Sequence, residues 1–206
     1  MANIKTSYTD GARRGFFRMG VVLARMGVTA DWLTIFGLLL QVAGLPLIIS
    51  GHFGWALLIG IVASICDALD GAVARAGAGS TKAGAFLDST TDRISELMVA
   101  SALAVYFYRL GELAPLVVVL VFMGAAQLVS YARARAESLG VECKVGFMSR
   151  PERLVGLGLG FLFSWWRPGG TSFLVWMLYL LAILTTLTVV RRMVHVMRKL
   201  RALDAA

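Results

Sequence analysis

Residues 67–92, DALDGAVARAGAGSTKAGAFLDSTTD, set four aspartates beside apolar segments of membrane length. Asp67 and Asp70 are three residues apart and Asp88 and Asp92 are four apart, so each pair projects from one face of a helix. Two such faces brought together hold four carboxylates around one point, and these repel one another unless divalent cations neutralise them. The spacing predicts a metal cluster between two helices. The alternative is that arginines satisfy the acids at the surface of a helix bundle.

The composition predicts an all-α integral membrane protein. Hydrophobic residues make up 58% of the 206, charged residues only 16%, and the mean hydropathy is +0.77. No charged residue lies between Trp32 and Cys66 if His52 is neutral, and Gly51 to Gly54 interrupts this run like a tight turn. The run therefore predicts a hairpin of two transmembrane helices.

Further spans are expected near residues 84–108, 113–132, 147–166 and 171–190, which gives six. With the N-terminus in the cytoplasm, only Arg109 and Arg167 of the 20 lysines and arginines lie outside. We therefore expect a multi-pass protein of the cell membrane with both termini and the active site cytoplasmic. The net charge of +8 then reflects topology and anion binding, and no nucleic-acid partner is expected.

The N-terminal residues 1–27 are expected to form an amphipathic interfacial helix. Ile4, Tyr8, Ala12, Phe16 and Met19 share one helical face, although a solvated flexible tail is the alternative. Residues 28–199 are expected to form the six-helix bundle, so that 1–206 is a single membrane domain. Neither cysteine is expected in a disulfide or zinc site.

Small and polar residues accompany the aspartates. Gly71, Ala74 and Gly84 let helices approach closely and let the phosphates of a ligand come near backbone, although helix packing alone is the alternative. The loop of residues 77–82, which contains Thr81, offers amide, hydroxyl and ammonium donors suited to phosphate oxygens.

The full spacing D-x2-D-G-x2-A-R-x8-G-x3-D-x3-D resembles the signature of the CDP-alcohol phosphotransferase family. The matching residues are Asp67, Asp70, Gly71, Ala74, Arg75, Gly84, Asp88 and Asp92. The resemblance implies a CDP-linked lipid as donor, two divalent cations (Mg²⁺ or Mn²⁺) on its pyrophosphate, and an acceptor hydroxyl that displaces CMP. By this correspondence Asp67, Asp70 and Asp88 are metal ligands, Asp92 is both a metal ligand and the general base, and Arg75 holds diphosphate.

The resemblance also places the nucleotide before the first span. Thr29, Ala30, Asp31 and Trp32 stand where family members bind it. Ala30 replaces a proline that family chains often carry, while Asp31 remains available to the cytidine amino group. The alternative role of Asp31 is to cap the first membrane helix.

Arginines near the cytoplasmic ends of later spans imply a second anion. Arg133, Arg135, Arg150 and Arg153 lie in residues 130–153. These segments, with Arg192, resemble the phosphatidylinositol-phosphate synthase branch, which implies that the five arginines form an acceptor-phosphate pocket. Positive-inside anchoring to anionic membrane lipids is the alternative.

The expected reaction joins inositol phosphate to the lipid phosphate of CDP-diacylglycerol, and family members are commonly homodimers. Glycerol phosphate is the main rival acceptor, and an archaeal-type ether-lipid donor would suit the same site. A cation transporter is the alternative from a different class, although transporters place their acids nearer the middle of the membrane.

Overall fold

The computed structural model describes residue 15, residues 17–77 and residues 81–205. Within these ranges the regular structure is entirely helical, as the composition predicts. The helices are α1 (17–25), α2 (Ala30–Ile49), α3 (Phe53–Ala76), α4 (Lys82–Leu110), α5 (Leu113–Ser138), α6 (Arg150–Leu162) and α7 (Phe173–Asp204), with one 3-10 turn at Pro168–Gly170.

The predicted hairpin is confirmed. Helix α2 ends at Ile49 and α3 begins at Phe53, with Gly51 between them at φ +79°, a left-handed conformation that favours glycine. A Cβ on Gly51 would also lie 3.1 Å from the ring of Tyr106. Both the backbone angle and the packing therefore explain why glycine stands at this turn.

Four helices are long and apolar enough to cross a membrane, namely α2, α3, α5 and α7. Helix α4 has 29 residues but carries Asp88, Asp92, Arg93 and Glu96 in its first half. Helix α6 has only 13 residues, fewer than the roughly 20 needed to span a bilayer. The protein is therefore an all-α membrane protein in which four of the six predicted spans have the length and composition of a membrane helix.

The described chain divides into two compact units. The first contains the described part of Met1–Leu45 together with Leu58–Ser95. Its helices meet at small residues: a Cβ on Gly20 of α1 would lie 2.7 Å from the carbonyl carbon of Ala72, and one on Gly37 of α2 would lie 3.4 Å from the carbonyl oxygen of Ala63. Small residues at such crossings let membrane helices pack backbone against backbone.

The second unit contains Pro46–Leu57 and Glu96–Ala206. Here α6 packs on α7 through Gly156 and Gly160, whose Cβ positions would lie 2.7 Å from Leu181 and 2.9 Å from Leu174. Their four-residue spacing is the small-xxx-small pattern typical of close helix contacts in membranes. The core of this unit therefore depends on glycine at two successive turns of α6.

The α5–α6 loop, residues 139–149, is attached to α7. Arg192 donates from Nε to the Val145 carbonyl oxygen at 3.0 Å, and the Met148 N–H donates to Thr188 Oγ1 at 3.2 Å. Gly146 has φ +116°, and a Cβ there would overlap the Cγ2 methyl of Thr188. The loop is thus held in one conformation by side chains of a single helix face.

The apolar stripe predicted near the N-terminus lies largely outside the described residues. Four of its members lie outside the described residues, namely Ile4, Tyr8, Ala12 and Phe16. Met19 and the neighbouring Arg18 are exposed on α1. Residues 78–80 of the predicted phosphate-binding loop are also outside the described ranges.

Candidate metal and substrate site

Three of the four aspartates converge in the first unit. One carboxylate oxygen from each of Asp67, Asp70 and Asp88 lies within 4.8 Å of the others. Helix α3 supplies the first two and α4 the third, so the structure brings together the two faces that the spacing predicts. Asp92 lies one helical turn after Asp88 on α4, half-buried, and is outside this three-residue group.

The three acids have the chemistry that a hard divalent cation requires. Mg²⁺ and Mn²⁺ prefer carboxylate oxygens, and Mg²⁺ holds them at about 2.1 Å, so oxygens on opposite sides of one ion are about 4.2 Å apart. The spread of up to 4.8 Å suits one or two such ions after a small movement of the side chains. Asp70 is only 6% exposed and Asp67 and Asp88 are half-buried, so a cation beside these three carboxylates would offset their mutual repulsion.

Thr34 holds Asp70 in place. Its hydroxyl donates to Asp70 Oδ2 at 2.7 Å, and the same hydroxyl oxygen lies 3.1 Å from the Ala30 carbonyl oxygen. Thr34 is 8% exposed, so solvent has little access to this bond. A hydrogen bond to the carboxylate from a fixed neighbour orients the oxygen that remains for a metal.

A second group of predicted residues meets at the start of α4. A Cβ on Gly84 would lie 3.4 Å from Asp31 Oδ1 and 3.2 Å from Thr81 Oγ1, so Asp31, Thr81 and Gly84 are neighbours. The Gly84 N–H donates to Thr81 Oγ1 at 2.9 Å. A larger residue at 84 would therefore push into the two side chains expected to contact the nucleotide.

The start of α2 bears on the alternative role of Asp31 as a helix cap. The helix begins at Ala30, and Thr29 caps it, because the Trp32 N–H faces Thr29 Oγ1 at 3.4 Å. The alternative in which Asp31 itself caps this helix is wrong, since Asp31 lies within the first turn. Its exposed carboxylate is therefore left for another role.

Arg75 folds back over its own helix. A Cβ on Gly71 would lie 3.2 Å from Arg75 Nη1, so the missing side chain at 71 makes room for the guanidinium. Arg75 itself is exposed, while Ala74 is half-buried beside it and Trp32 is 70% exposed. The absence of a side chain at Gly71 therefore leaves space for the guanidinium group of Arg75.

The five candidate acceptor arginines belong to the second unit and differ in surroundings. Arg133 and Arg135 are exposed near the end of α5, where Arg133 pairs with Glu137 at 2.8 Å. Arg150 is half-buried at the first position of α6. Arg153 and Arg192 are buried, at 1% and 5% exposure.

The two buried arginines are held by named partners. Arg153 donates from Nε and Nη2 to the two carboxylate oxygens of Glu96 at 2.6 and 2.8 Å, and from Nη1 to the Met148 carbonyl oxygen at 3.0 Å. Arg192 donates from Nη1 to the Val129 carbonyl oxygen at 2.5 Å, besides its bond to Val145. Both guanidinium groups are therefore held in place by hydrogen bonds within the protein.

Sequence reasoning missed the roles of Thr34 and Glu96. Thr34 lies 36 residues before Asp70, and Glu96 lies 57 residues before Arg153, so neither partnership has a local spacing that reveals it. For Glu96 the available signal was an acid within an apolar helix, four residues after Asp92.

A family model described as CDP-alcohol phosphatidyltransferase matches residues 27–197 of the chain. The phosphatidylinositol phosphate synthase of Mycobacteroides abscessus is 37% identical over 188 residues, which cover 88% of this chain and 83% of that protein. The archaetidylinositol phosphate synthase of Methanothermobacter thermautotrophicus is 36% identical over 183 residues, covering 86% and 87% of the two chains.

Solved structures of the Mycobacterium tuberculosis phosphatidylinositol phosphate synthase are also similar. The form with CDP-DAG bound superposes with a TM-score of 0.81 at 33% identity and covers 89% of this chain and 94% of that one. The form in complex with manganese and citrate gives 0.79 at 33% identity, with 88% of each chain covered. With the signature residues grouped as described, these matches lead to one conclusion: the chain belongs to the CDP-alcohol phosphatidyltransferase family.

Proposed function

We propose that this protein transfers the phosphatidyl group of CDP-diacylglycerol to inositol phosphate, releasing CMP and forming phosphatidylinositol phosphate. The observation that carries the proposal is the convergence of Asp67, Asp70 and Asp88 within 4.8 Å. The names of the relatives from Mycobacteroides abscessus and Mycobacterium tuberculosis support inositol phosphate as acceptor.

Asp67, Asp70, Asp88 and Asp92 would hold two divalent cations, Mg²⁺ or Mn²⁺. When bound, these cations supply charge neutralisation on the diphosphate of the donor. Thr34 keeps one oxygen of Asp70 engaged at 2.7 Å and so limits the orientations of that carboxylate. The manganese complex of the tuberculosis relative supports this assignment.

The CDP-lipid is proposed to lie along the first unit. Its nine binding residues are Thr29, Ala30, Asp31, Trp32, Gly71, Ala74, Arg75, Thr81 and Gly84. Asp31 is suited to accept a hydrogen bond from the cytidine amino group, and Arg75 to hold a diphosphate oxygen. The proximity of Asp31, Thr81 and Gly84 supports one continuous binding surface for the nucleotide.

Asp92 is the proposed catalytic base. It accepts the proton of the acceptor hydroxyl as that oxygen forms a bond to the lipid-bearing phosphorus, while the phosphorus–oxygen bond to CMP breaks and CMP leaves with the bonding electrons. Its position one turn from the metal-ligand carboxylate of Asp88 on α4 suits a group that acts beside the diphosphate.

The phosphate of the acceptor is proposed to bind the arginine pocket formed by Arg133, Arg135, Arg150, Arg153 and Arg192. A phosphate monoester carries nearly two negative charges, which several guanidinium groups neutralise, whereas a neutral polyol needs no such set. Arg153 and Arg192 are already fixed by hydrogen bonds, so little freedom is lost when an anion arrives.

A transfer assay with purified protein, CDP-diacylglycerol and Mn²⁺ tests the proposal. We expect CMP release and labelled lipid with inositol phosphate, and neither with free inositol. Turnover of glycerol 3-phosphate in place of inositol phosphate would assign the protein as a phosphatidylglycerophosphate synthase. Because one relative is an archaetidylinositol phosphate synthase, an archaeal-type CDP-lipid belongs in the same assay as a competing donor.

We further propose that α4 and α6 complete six membrane spans, with both termini and the active site on the cytoplasmic side of the plasma membrane. In this arrangement residues 1–206 form a single domain and pair as a homodimer. Cysteines introduced at Arg109 and Arg167 should react with an impermeant thiol reagent in intact cells, whereas one at Arg201 should not. Native mass spectrometry in detergent tests the dimer.

A further inference from the structure

The pair of Arg153 and Glu96 is unusual for a membrane protein. Both residues belong to the second unit, and their side chains are 1% and 5% exposed. The solvation free energy lost when two charges are buried usually exceeds the free energy of their attraction, so such a pair contributes little to the stability of the fold. An ionisable pair at this position therefore indicates a role other than stability.

The bonds of Arg153 leave it able to bind an anion. Its three hydrogen bonds occupy one N–H on each of Nε, Nη1 and Nη2. A guanidinium has five N–H groups, so one N–H on Nη1 and one on Nη2 have no acceptor among the described residues. Two terminal N–H groups of one guanidinium are donors of the kind that bind the oxygens of a phosphate.

Glu96 determines where those two N–H groups point. A carboxylate that accepts from Nε and Nη2 together fixes the plane of the guanidinium, because the two bonds are parallel and 2.6 and 2.8 Å long. The third bond reaches the Met148 carbonyl oxygen, in a peptide segment that Thr188 holds through the Met148 N–H. The remaining freedom of Arg153 is therefore small.

We propose that Glu96 is a positioning residue for acceptor recognition: it holds the buried guanidinium of Arg153 so that its two remaining N–H groups meet the phosphate monoester of the acceptor. The inference rests on the proposed function, since it takes Arg153 as part of the arginine pocket. This role of Glu96 also explains why an acid lies beside a site for an anion. Glu96 neutralises the charge of Arg153 when no acceptor is bound.

A double-mutant cycle tests the role. The variants are Glu96→Gln, Arg153→Gln and the double change, with Glu142→Gln as control because Glu142 forms an exposed ion pair with Lys144. We expect Glu96→Gln to raise the KM for inositol phosphate by about tenfold or more, as loss of a charge-assisted hydrogen bond does. The KM for CDP-diacylglycerol should change less than about twofold, as in Glu142→Gln.

The cycle also separates positioning from other roles. If Glu96 acts through Arg153, the double variant has the same acceptor KM as Arg153→Gln alone. Independent, multiplying effects of the two changes would overturn the proposal, as would an unchanged acceptor KM in Glu96→Gln. If the single variants do not fold, Glu96→Asp decides, since it keeps the negative charge beside Arg153 and shortens the side chain that positions the guanidinium. An acceptor KM near that of the wild type would then make the pair purely structural and overturn the proposal, whereas a raised one supports it.

Failure of the proposed function is distinguishable. A wild-type protein that uses glycerol 3-phosphate and not inositol phosphate refutes the proposed function. The same cycle measured with glycerol 3-phosphate still tests Glu96, because both acceptors carry a phosphate monoester.

Discussion

Hydrogen bonds with one neighbouring side chain each orient Asp70 and Arg153. The hydroxyl of Thr34 orients Asp70 in the group of three aspartates, and the carboxylate of Glu96 holds Arg153 in the other unit. Each partner is buried and comes from a helix other than the one that carries the residue it orients. Substitutions at such supporting residues change the function of a charged group without removing the group itself.

Thr34→Val should weaken metal binding. Valine has nearly the shape of threonine but no hydroxyl, so Asp70 loses its donor at 2.7 Å. We expect the affinity for Mn²⁺ measured by calorimetry to fall by about tenfold to a hundredfold, the usual effect of removing such a partner. Thr34→Ser keeps the hydroxyl and is the matched control. Equal affinities in the two variants would contradict the assignment.

Asp92→Asn should slow the transfer reaction without preventing the binding of CDP-diacylglycerol. Asparagine keeps the size of the side chain but does not accept the proton of the acceptor hydroxyl, so kcat is expected to fall by about a hundredfold or more. Stabilisation of the protein by CDP-diacylglycerol in a thermal unfolding assay should persist. Glu142→Gln, which removes an exposed carboxylate that pairs with Lys144, is the control for loss of one negative charge. A kcat near that of the wild type would exclude Asp92 as the base.

At the scale of elements, glycines determine which helices and loops approach. Gly20 brings α1 onto α3, Gly156 and Gly160 bring α6 onto α7, and Gly146 brings the α5–α6 loop onto α7. In a membrane, where lipid is as apolar as the helices, close packing replaces hydrophobic burial as the main attraction between helices. Adding one methyl group at these positions is therefore costly.

Gly20→Ala should separate α1 from α3. The new Cβ would lie 2.7 Å from the carbonyl carbon and 2.9 Å from the carbonyl oxygen of Ala72, and backbone atoms do not move aside. We expect a loss of about 1–3 kcal/mol in unfolding free energy, typical of overpacking. Gly60→Ala is the control, because a Cβ there meets no atom within 4 Å. Equal melting temperatures for the two variants would refute the contact.

Gly146→Ala should disturb acceptor binding through the α5–α6 loop. Alanine at φ +116° is strained, and its Cβ overlaps the methyl of Thr188, so the segment that carries Val145 and Met148 must shift. The acceptor KM is expected to rise by about tenfold or more, an effect of lost hydrogen bonds. Gly140→Ala, at φ +73° with no atom within 4 Å of its Cβ, isolates the backbone cost alone. The same KM in both variants would contradict the role of the loop.

The sequence predicts the features of this structure that depend on residues close together along the chain. The i, i+3 pair Asp67 and Asp70 and the glycine turn at 51 depend on neighbours along the chain. The structure places Asp67 and Asp70 beside Asp88 and Gly51 at the turn, whereas Asp92, four residues after Asp88, lies outside the three-residue group. The length of α6 is less predictable, because residues 147–149 and 163–166, which the predicted span included, are not part of the helix. The partners of Asp70 and Arg153 come from distant helices, so only the packed structure identifies them.

The whole molecule should be stabilised by its metal ions. Three carboxylates within 4.8 Å repel one another, and a cation that binds only the folded chain removes this repulsion and shifts the folding equilibrium. At a Mn²⁺ concentration of about 100 times Kd, we expect about 2.7 kcal/mol of stabilisation, measured as a rise in melting temperature that chelation reverses. Asp67→Asn/Asp88→Asn should abolish the rise and Glu142→Gln should keep it. A rise of the same size in the double aspartate variant would refute this metal site.

The interleaving of the two units along the chain has a consequence for biosynthesis. The unit that contains the aspartates ends at Ser95, whereas the other takes most of its residues from Glu96 onward. A ribosome therefore completes every residue of the first unit before it has translated any of the five arginines between residues 133 and 192. The nascent chain thus has its cation ligands in place early, and cellular Mg²⁺ is available to shield them while the remaining helices are inserted.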